Sequence, residues 1–256
     1  MRTVPASFQG ALSFLTVFPS PCAITSVNAA ERMSQALAWF PLVGGLIGGA
    51  SAAIMRLASS FWSSEVSVLL GVVSLILFTG GLHLDGFADT VDGLAAGRDK
   101  EETLRIMQDS RVGALGAAGL FLLLGLKWSV LSSIPTHRWV ASLTAACALS
   151  RFSLVLAAHY FPYVPGKSGL GRLVTERRSR QALTAASVLA VGISMVSLGP
   201  FQACAAVGLT CVATWGFNGF LFRRLGGITG DTLGALSEIT ETALLLFLAA
   251  MGNRYL

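Results

Sequence analysis

The sequence predicts an all-α, polytopic helical membrane protein with about seven transmembrane helices, organised as one domain over residues 1–256. Three observations carry this. Hydrophobic residues make up 54% of the chain and charged residues only 12%, with a mean hydropathy of +0.69, well away from an average soluble domain. Several apolar stretches reach the length of roughly 20 residues that a helix needs to cross a hydrocarbon core. The basic residues are divided unequally among the segments between those stretches, as topology signals are.

The first apolar run, "ALSFLTVF" (Ala11 to Phe18), is too short to span and is closed by Pro19 and Pro21. It reads as an interfacial helix rather than as the centre of a cleaved signal segment started by Arg2. Spans are expected at 35–55, 62–82, 112–131, 139–160, 182–198, 202–221 and 237–252, the fifth being the weakest. Gly44, Gly45, Gly48 and Gly49 repeat at a spacing of four in the first span, a pattern that lets a neighbouring helix approach closely. Cys22, Cys147, Cys204 and Cys211 form no C-x-x-C pair and have no histidine at metal-ligand spacing, so neither zinc nor redox chemistry is expected of them.

With seven spans and the N-terminus inside, thirteen of the 18 Lys and Arg fall on one side, three on the other, and Lys127 and Arg151 lie within spans. The richer side is cytoplasmic by the positive-inside rule. The net charge of +5 therefore reports topology, and no nucleic-acid partner is expected. The same parity puts the polar segments after spans two, four and six on one cytoplasmic face, where an active site is expected.

The segment after span two, "GGLHLDGFADTVDGLAAGRDK" (Gly80 to Lys100), concentrates acid: seven of the 13 carboxylates lie between Asp85 and Asp109. At about 100° per residue, Asp85, Asp89 and Asp92 share one helical stripe. Like charges on one face repel, more so where water is scarce, so a cation is expected among them. A hard divalent ion such as Mg²⁺, which takes oxygen ligands and completes its shell with phosphates and water, suits this set. The competing reading is a solvated loop, helped by the Asp85-Gly86 and Asp92-Gly93 turn signals. His83 falls on nearly the opposite side and is not a metal ligand. Asp109 and Arg111 adjoin the third span; Arg111 stands either as a phosphate partner or as an interfacial anchor.

"PGKSGLGR" (Pro165 to Arg172) contains Gly-Lys-Ser, but a P-loop would need glycine where Phe161 stands. What remains is a glycine-rich loop whose Lys167 and Arg172 are balanced between phosphate binding and topology signal. Asp231 and Glu238 share a face if the last helix starts early enough, though Asp231 also reads as a plain N-cap. Glu238, Glu241 and Arg151 lie in or beside spans, where charged groups face polar sites or one another.

A carboxylate-held metal flanked by basic residues suits group transfer from a diphosphate donor to a hydroxyl, with a carboxylate accepting the hydroxyl proton. The motifs "GGLHLDGFADTVDGLAAGRD", "IMQDSRVGALG" and "LGGITGDTLGALSEITE", with "FLTVFP" and "WFPLVGGLIGG" near the N-terminus, resemble those of the cobalamin synthase family, the adenosylcobinamide-GDP ribazoletransferases. The resemblance covers nearly the whole chain. It implies a multi-pass enzyme of the cell inner membrane in the lipid bilayer, acting late in vitamin B12 synthesis. Such enzymes join adenosylcobinamide-GDP to α-ribazole or its 5'-phosphate with Mg²⁺, releasing GMP. Association with itself or with other enzymes of the pathway is compatible with it. The family pattern falls on His83, Asp85, Gly86, Asp89, Asp92 and Gly93. On this basis Asp85, Asp89 and Asp92 are expected to hold Mg²⁺, and one of them or Asp109 to act as base. His83, Arg98, Arg111, Lys167, Arg172, Asp231 and Glu238 are expected at the substrates. Two alternatives stay open. The chain is also similar to CDP-alcohol phosphotransferases through Asp89, Asp92, Gly93 and Ala96, but Gly97 separates Ala96 from Arg98 and the second part of that signature is absent. A cation-coupled transporter would place its acids near the bilayer midplane.

Overall fold

Apolar segments entering lipid must satisfy each backbone N–H and C=O within themselves, which leaves the helix as the available form for these runs. The computed structural model describes residues 6–19, 29–109, 111–166 and 170–252; Arg2, Pro21, Cys22, Lys167 and Arg254 lie outside them. In order the helices are α1 (Ala6–Leu15), α2 (Ala29–Ala36), α3 (Phe40–Ala58), α4 (Ser64–Thr79), α5 (Leu82–Ala96) and α6 (Lys100–Ile106), then α7 (Ala114–Ser133), α8 (Trp139–Tyr160), α9 (Leu170–Glu176), α10 (Arg180–Leu198), α11 (Pro200–Leu225) and α12 (Gly230–Gly252). Among the described residues no strand forms; Tyr163 and Ile228 make one isolated parallel bridge.

Among the described residues six helical stretches are long and apolar enough to cross a membrane: 29–58, which joins α2 to α3, 136–160, which holds α8, and the lengths of α7, α10, α11 and α12. The chain is thus a multi-pass membrane protein, but the expected second span at 62–82 needs correction. Its 16-residue α4 is about 24 Å long, short of a core of about 30 Å, and α4 counts as a span only together with α5, which leaves it at 91°. The turn is made by Gly80 and Gly81, both in the left-handed region at φ 62° and 72°. There the Gly81 N–H donates to the Ile76 carbonyl at 3.1 Å, a glycine C-terminal cap. An apolar count continues through these residues; the backbone does not.

α8 is the centre of the bundle. Nearly every residue from Ser142 to Ala158 is buried, against α3, α10, α11 and α12. The glycine repeat of α3 makes the expected close approach: a Cβ on Gly44 would lie 2.3 Å from the Cys147 carbonyl oxygen, and one on Gly48 would lie 2.2 Å from that of Leu143. Outward faces of α7, α10 and α11 carry exposed Phe121, Leu122, Val196, Phe201 and Val212, as lipid-facing surfaces do. α1 packs at one end of the bundle, where the Trp39 indole N–H donates to Ser7 at 3.0 Å and the Val17 N–H donates to the Phe78 carbonyl at 2.9 Å.

Among the described residues the three polar segments, expected on one face, meet. The Val164 N–H donates to the Ile228 carbonyl at 3.0 Å and the Ile228 N–H to that of Pro162 at 2.9 Å. Arg224 donates to the Gly97 carbonyl at 2.7 Å, tying the end of α5 to α11.

Gly48→Ala should destabilise the protein by about 1–3 kcal/mol, the usual cost of overpacking, because the intruded group is backbone and cannot swing away. Gly192→Ala, with nothing within 4 Å of the added carbon, should leave the melting temperature in detergent unchanged or slightly raised.

Candidate active site

α5 runs across the ends of α7 and α12, and glycine stands at each crossing. A Cβ on Gly86 would lie 2.7 Å from the Asp231 carbonyl oxygen, one on Gly234 3.1 Å from that of His83, and one on Gly116 2.9 Å from that of Ala88. Backbone therefore meets backbone, and the acidic stripe of α5 is carried to the first turn of α12. The cap of α12 is Thr229 rather than Asp231: the Thr232 N–H donates to Thr229 Oγ1 at 3.2 Å and the Thr229 N–H to Thr232 Oγ1 at 2.7 Å. Asp231 instead sits in that first turn, where the helix dipole favours negative charge. Because α12 starts this early, Asp231 and Glu238 do share one helix.

The three aspartates of α5 part company. Asp85 is exposed, Asp89 half-buried, and Asp92 only 9% exposed. Asp92 turns to α7, where Oδ2 accepts from the Gly113 N–H and Oδ1 from the Gly116 N–H, each at 2.8 Å. These are orphan donors at a helix start, and the cap position there is a glycine with no side chain to serve them. The structure thus does not bring the three aspartates of the expected trio to one point. Seven residues of helix put Asp85 and Asp92 about 10 Å apart along the axis, too far for one ion with bonds of roughly 2.1 Å. Among the described residues no group of three His, Cys, Asp or Glu converges as a complete metal-binding set.

Asp85, Asp89 and Asp231 remain as an acidic group at the end of the bundle. Burial, then the charges of Asp85, Asp231 and Asp92, push the Asp89 carboxyl up to about 6. A carboxylate crowded by others is relieved by a bound cation. Hard oxygen donors in this number suit Mg²⁺, which commonly takes one or two carboxylates and fills its shell with water and substrate phosphate.

Two cavities flank this group and share Phe14, Leu82 and Asp85. The larger, about 900 Å³, lies between α1, the α4–α5 bend and α7. The smaller, about 470 Å³, lies between α1, α5, α8, α9 and α12, and Asp231 and His83 line it as well. Arg172 is exposed beside it on α9, whose Gly171 packs on Gly230. Asp109 and Arg111 stand between Gln108, on the smaller cavity, and Val112, on the larger. They face each other: Arg111 donates from Nε at 3.0 Å and from an Nη at 2.7 Å to the two Asp109 oxygens. That pairing holds the Asp109 carboxyl down to about 2. Arg98 is exposed beyond the far end of α5, about 20 Å from Asp85 by helical rise.

Glu238 does not face either large cavity. It is buried against Lys127 Nζ at 2.5 Å; the same ammonium meets Glu241 at 2.7 Å, and Arg151 donates to the other Glu241 oxygen. The expected pairing of Arg151 with an acid is found. Lys127 was the missed member: in sequence it is a lone cation in an apolar run, and only its two acids one helix away explain it. These deep charges are mutually paired, two against two, unlike the open acids of a cation pathway.

The fold and site define a class: helical membrane proteins that gather an acidic, cation-suited group and two cavities at one end of the bundle. Residues 7–249 match the family model described as cobalamin-5-phosphate synthase, and the chain belongs to that family. It is 39% identical over 96% of its length to the adenosylcobinamide-GDP ribazoletransferase of Klebsiella pneumoniae (strain 342), covering 98% of that protein. It is 34% identical over 97% to the protein of the same name from Desulforamulus reducens, and 35% over 94% to that from Escherichia coli (strain K12 / DH10B), again covering 98% of each. No solved structure matches the chain.

Asp92→Asn leaves the start of α7 with one acceptor in place of two and should cost about 1–2 kcal/mol of stability, read as a lower melting temperature. Lys127→Met strands the buried Glu238 and leaves Glu241 with Arg151 alone, and should cost about 3–5 kcal/mol; denaturant unfolding in mixed micelles checks it.

Proposed function

We propose that this chain is an adenosylcobinamide-GDP ribazoletransferase, joining adenosylcobinamide-GDP to α-ribazole or its 5'-phosphate and releasing GMP. The observation that carries the reading is the acidic group of Asp85, Asp89 and Asp231, of which Asp85 lines both cavities and Asp231 the smaller, in a chain of this family. In the reaction a ribose hydroxyl of ribazole attacks the phosphorus that bears cobinamide. The bond from that phosphorus to the GMP oxygen breaks, GMP leaves with the electron pair, and the hydroxyl proton passes to a carboxylate.

Asp85 and Asp89 are the residues suited to hold Mg²⁺, and Asp85 borders both cavities. Bound there, the cation would supply neutralisation of the diphosphate and of the charge growing on the departing GMP. Asp231, on the smaller cavity, is positioned to take the hydroxyl proton. Arg172 beside that cavity and Arg111 between the two are the cations available to phosphate oxygens, Arg111 on release from Asp109. Lys167 belongs to the same reading by its place in the loop before α9. The positive-inside distribution supports the inner membrane and a cytoplasmic opening for this end of the bundle, where water-soluble nucleotides would be met.

GMP release by purified protein in nanodiscs, from adenosylcobinamide-GDP and α-ribazole phosphate, tests this. Asp85→Asn and Asp89→Asn should lower turnover at least 100-fold and raise the Mg²⁺ needed for half-maximal rate. Asp231→Asn should lower kcat with little change in the Mg²⁺ requirement. Wild-type turnover that persists in EDTA would remove the metal from the reading.

A further inference from the structure

α7 begins without the side chains that usually begin a helix. Its cap residue is Gly113, extended at φ −81° and ψ 171°, and three residues on, where a capping box would place Glu or Gln, stands Gly116. In a capping box the cap side chain accepts from the third amide of the helix, and the side chain at that third position accepts from the amide of the cap residue. Here one carboxylate from another helix makes both bonds: Asp92 Oδ1 accepts from the Gly116 N–H and Oδ2 from the Gly113 N–H, each at 2.8 Å. The two glycines admit it. A Cβ on Gly113 would lie 2.5 Å from Oδ1, and one on Gly116 would meet Oδ2 more closely still. A cap supplied by α7 itself and the carboxylate supplied by α5 therefore exclude one another at this place.

We propose that Asp92 serves the transfer as a positioning residue and not as a metal ligand: it caps α7 from α5, and the cap fixes Arg111 and Val112 relative to Asp85 and Asp89. The assignment rests on the transferase reading above. Arg111 and Val112 directly precede Gly113, so the bond that holds the Gly113 amide also sets how these two residues approach the helix. Val112 lines the larger cavity with Asp85, and Arg111 is exposed beside it, where its guanidinium is available to phosphate oxygens. Asp85 and Asp89 lie on the same helix as Asp92. One contact between α5 and α7 thus sets the spacing between the carboxylates suited to the cation and the guanidinium suited to the diphosphate. A serine cap within α7 would form wherever α5 lay; a cap supplied by α5 forms only when the two helices are in register.

The test is a compensation experiment on the full chain in nanodiscs. Asp92→Ala removes both acceptors together with the obstruction at position 113, and Gly113→Ser supplies a cap oxygen from α7, in a backbone conformation that cap residues favour. Each single variant should lower the melting temperature, and the double variant should melt above Asp92→Ala. In GMP release, Asp92→Ala should raise KM for adenosylcobinamide-GDP about fivefold or more, leave the Mg²⁺ needed for half-maximal rate within about twofold of wild type, and regain about half of the KM change when Gly113→Ser is added. A lower kcat at unchanged KM is what loss of folded protein alone produces, and it would overturn the positioning role. A raised Mg²⁺ requirement without recovery in the double variant would return Asp92 to the metal and overturn it as well. If Asp92→Ala does not fold, Asp92→Asn, which keeps one acceptor, takes its place in both measurements. Compensation in melting temperature needs no substrate: found with a wild type that releases no GMP, it would sink the transferase reading and the role in transfer with it. Wild-type turnover without compensation would sink the positioning role alone.

Discussion

A helix that leaves α4 at 91° and packs backbone to backbone against the first turns of α7 and α12 is the constraint on which the rest of this structure depends. α5 must leave α4 abruptly, and the left-handed pair Gly80 and Gly81 permits it. It must then lie against α7 and α12 closely enough for backbone to meet backbone, and Gly86, Gly116 and Gly234 permit that. The result fixes the acidic residues of α5 against the first turn of α12. Each glycine is at a crossing where a side chain would separate the helices, so the geometry of the site is set by missing atoms as much as by those present.

Charge is handled differently at two depths. Near the middle of the bundle Lys127, Arg151, Glu238 and Glu241 form a closed, neutral set in which each charge has an opposite partner. A desolvated charge is tolerable only on those terms. At the end of the bundle the aspartates crowd one another, and Asp89 is pushed toward its protonated form. The deep set ties α7, α8 and α12 together; the shallow set leaves like charges crowded at the end of the bundle.

Two cavities with a shared wall suit a reaction between a very large donor and a small acceptor. Asp85 is the polar residue common to both linings, so α5 stands between the two cavities. The Val164 and Ile228 backbone hydrogen bonds join loops that lie far apart in the chain at this end of the bundle.

Much of this was legible in the chain alone, because it rests on composition and on periods of a few residues. Helices through lipid, a close helix approach at the glycines of α3, one shared face for the three polar segments, and the acid-rich stripe all follow from short-range pattern and the chemistry of the bilayer. Even the pairing of Arg151 with an acid could be expected, since a membrane interior demands it. The partners could not be chosen from pattern. Asp85, Asp89 and Asp92 share a stripe, yet Asp92 serves the start of α7 because unpaired amide groups there lie nearer than any common ion. Glu238 answers Lys127, 111 residues away, and Asp109 closes on Arg111. The apolar run ending at 82 is cut by two glycines that a hydropathy count passes over. Helical period states which residues share a face; only the packed structure states what that face meets, since that is set by distances between segments that the linear order does not contain.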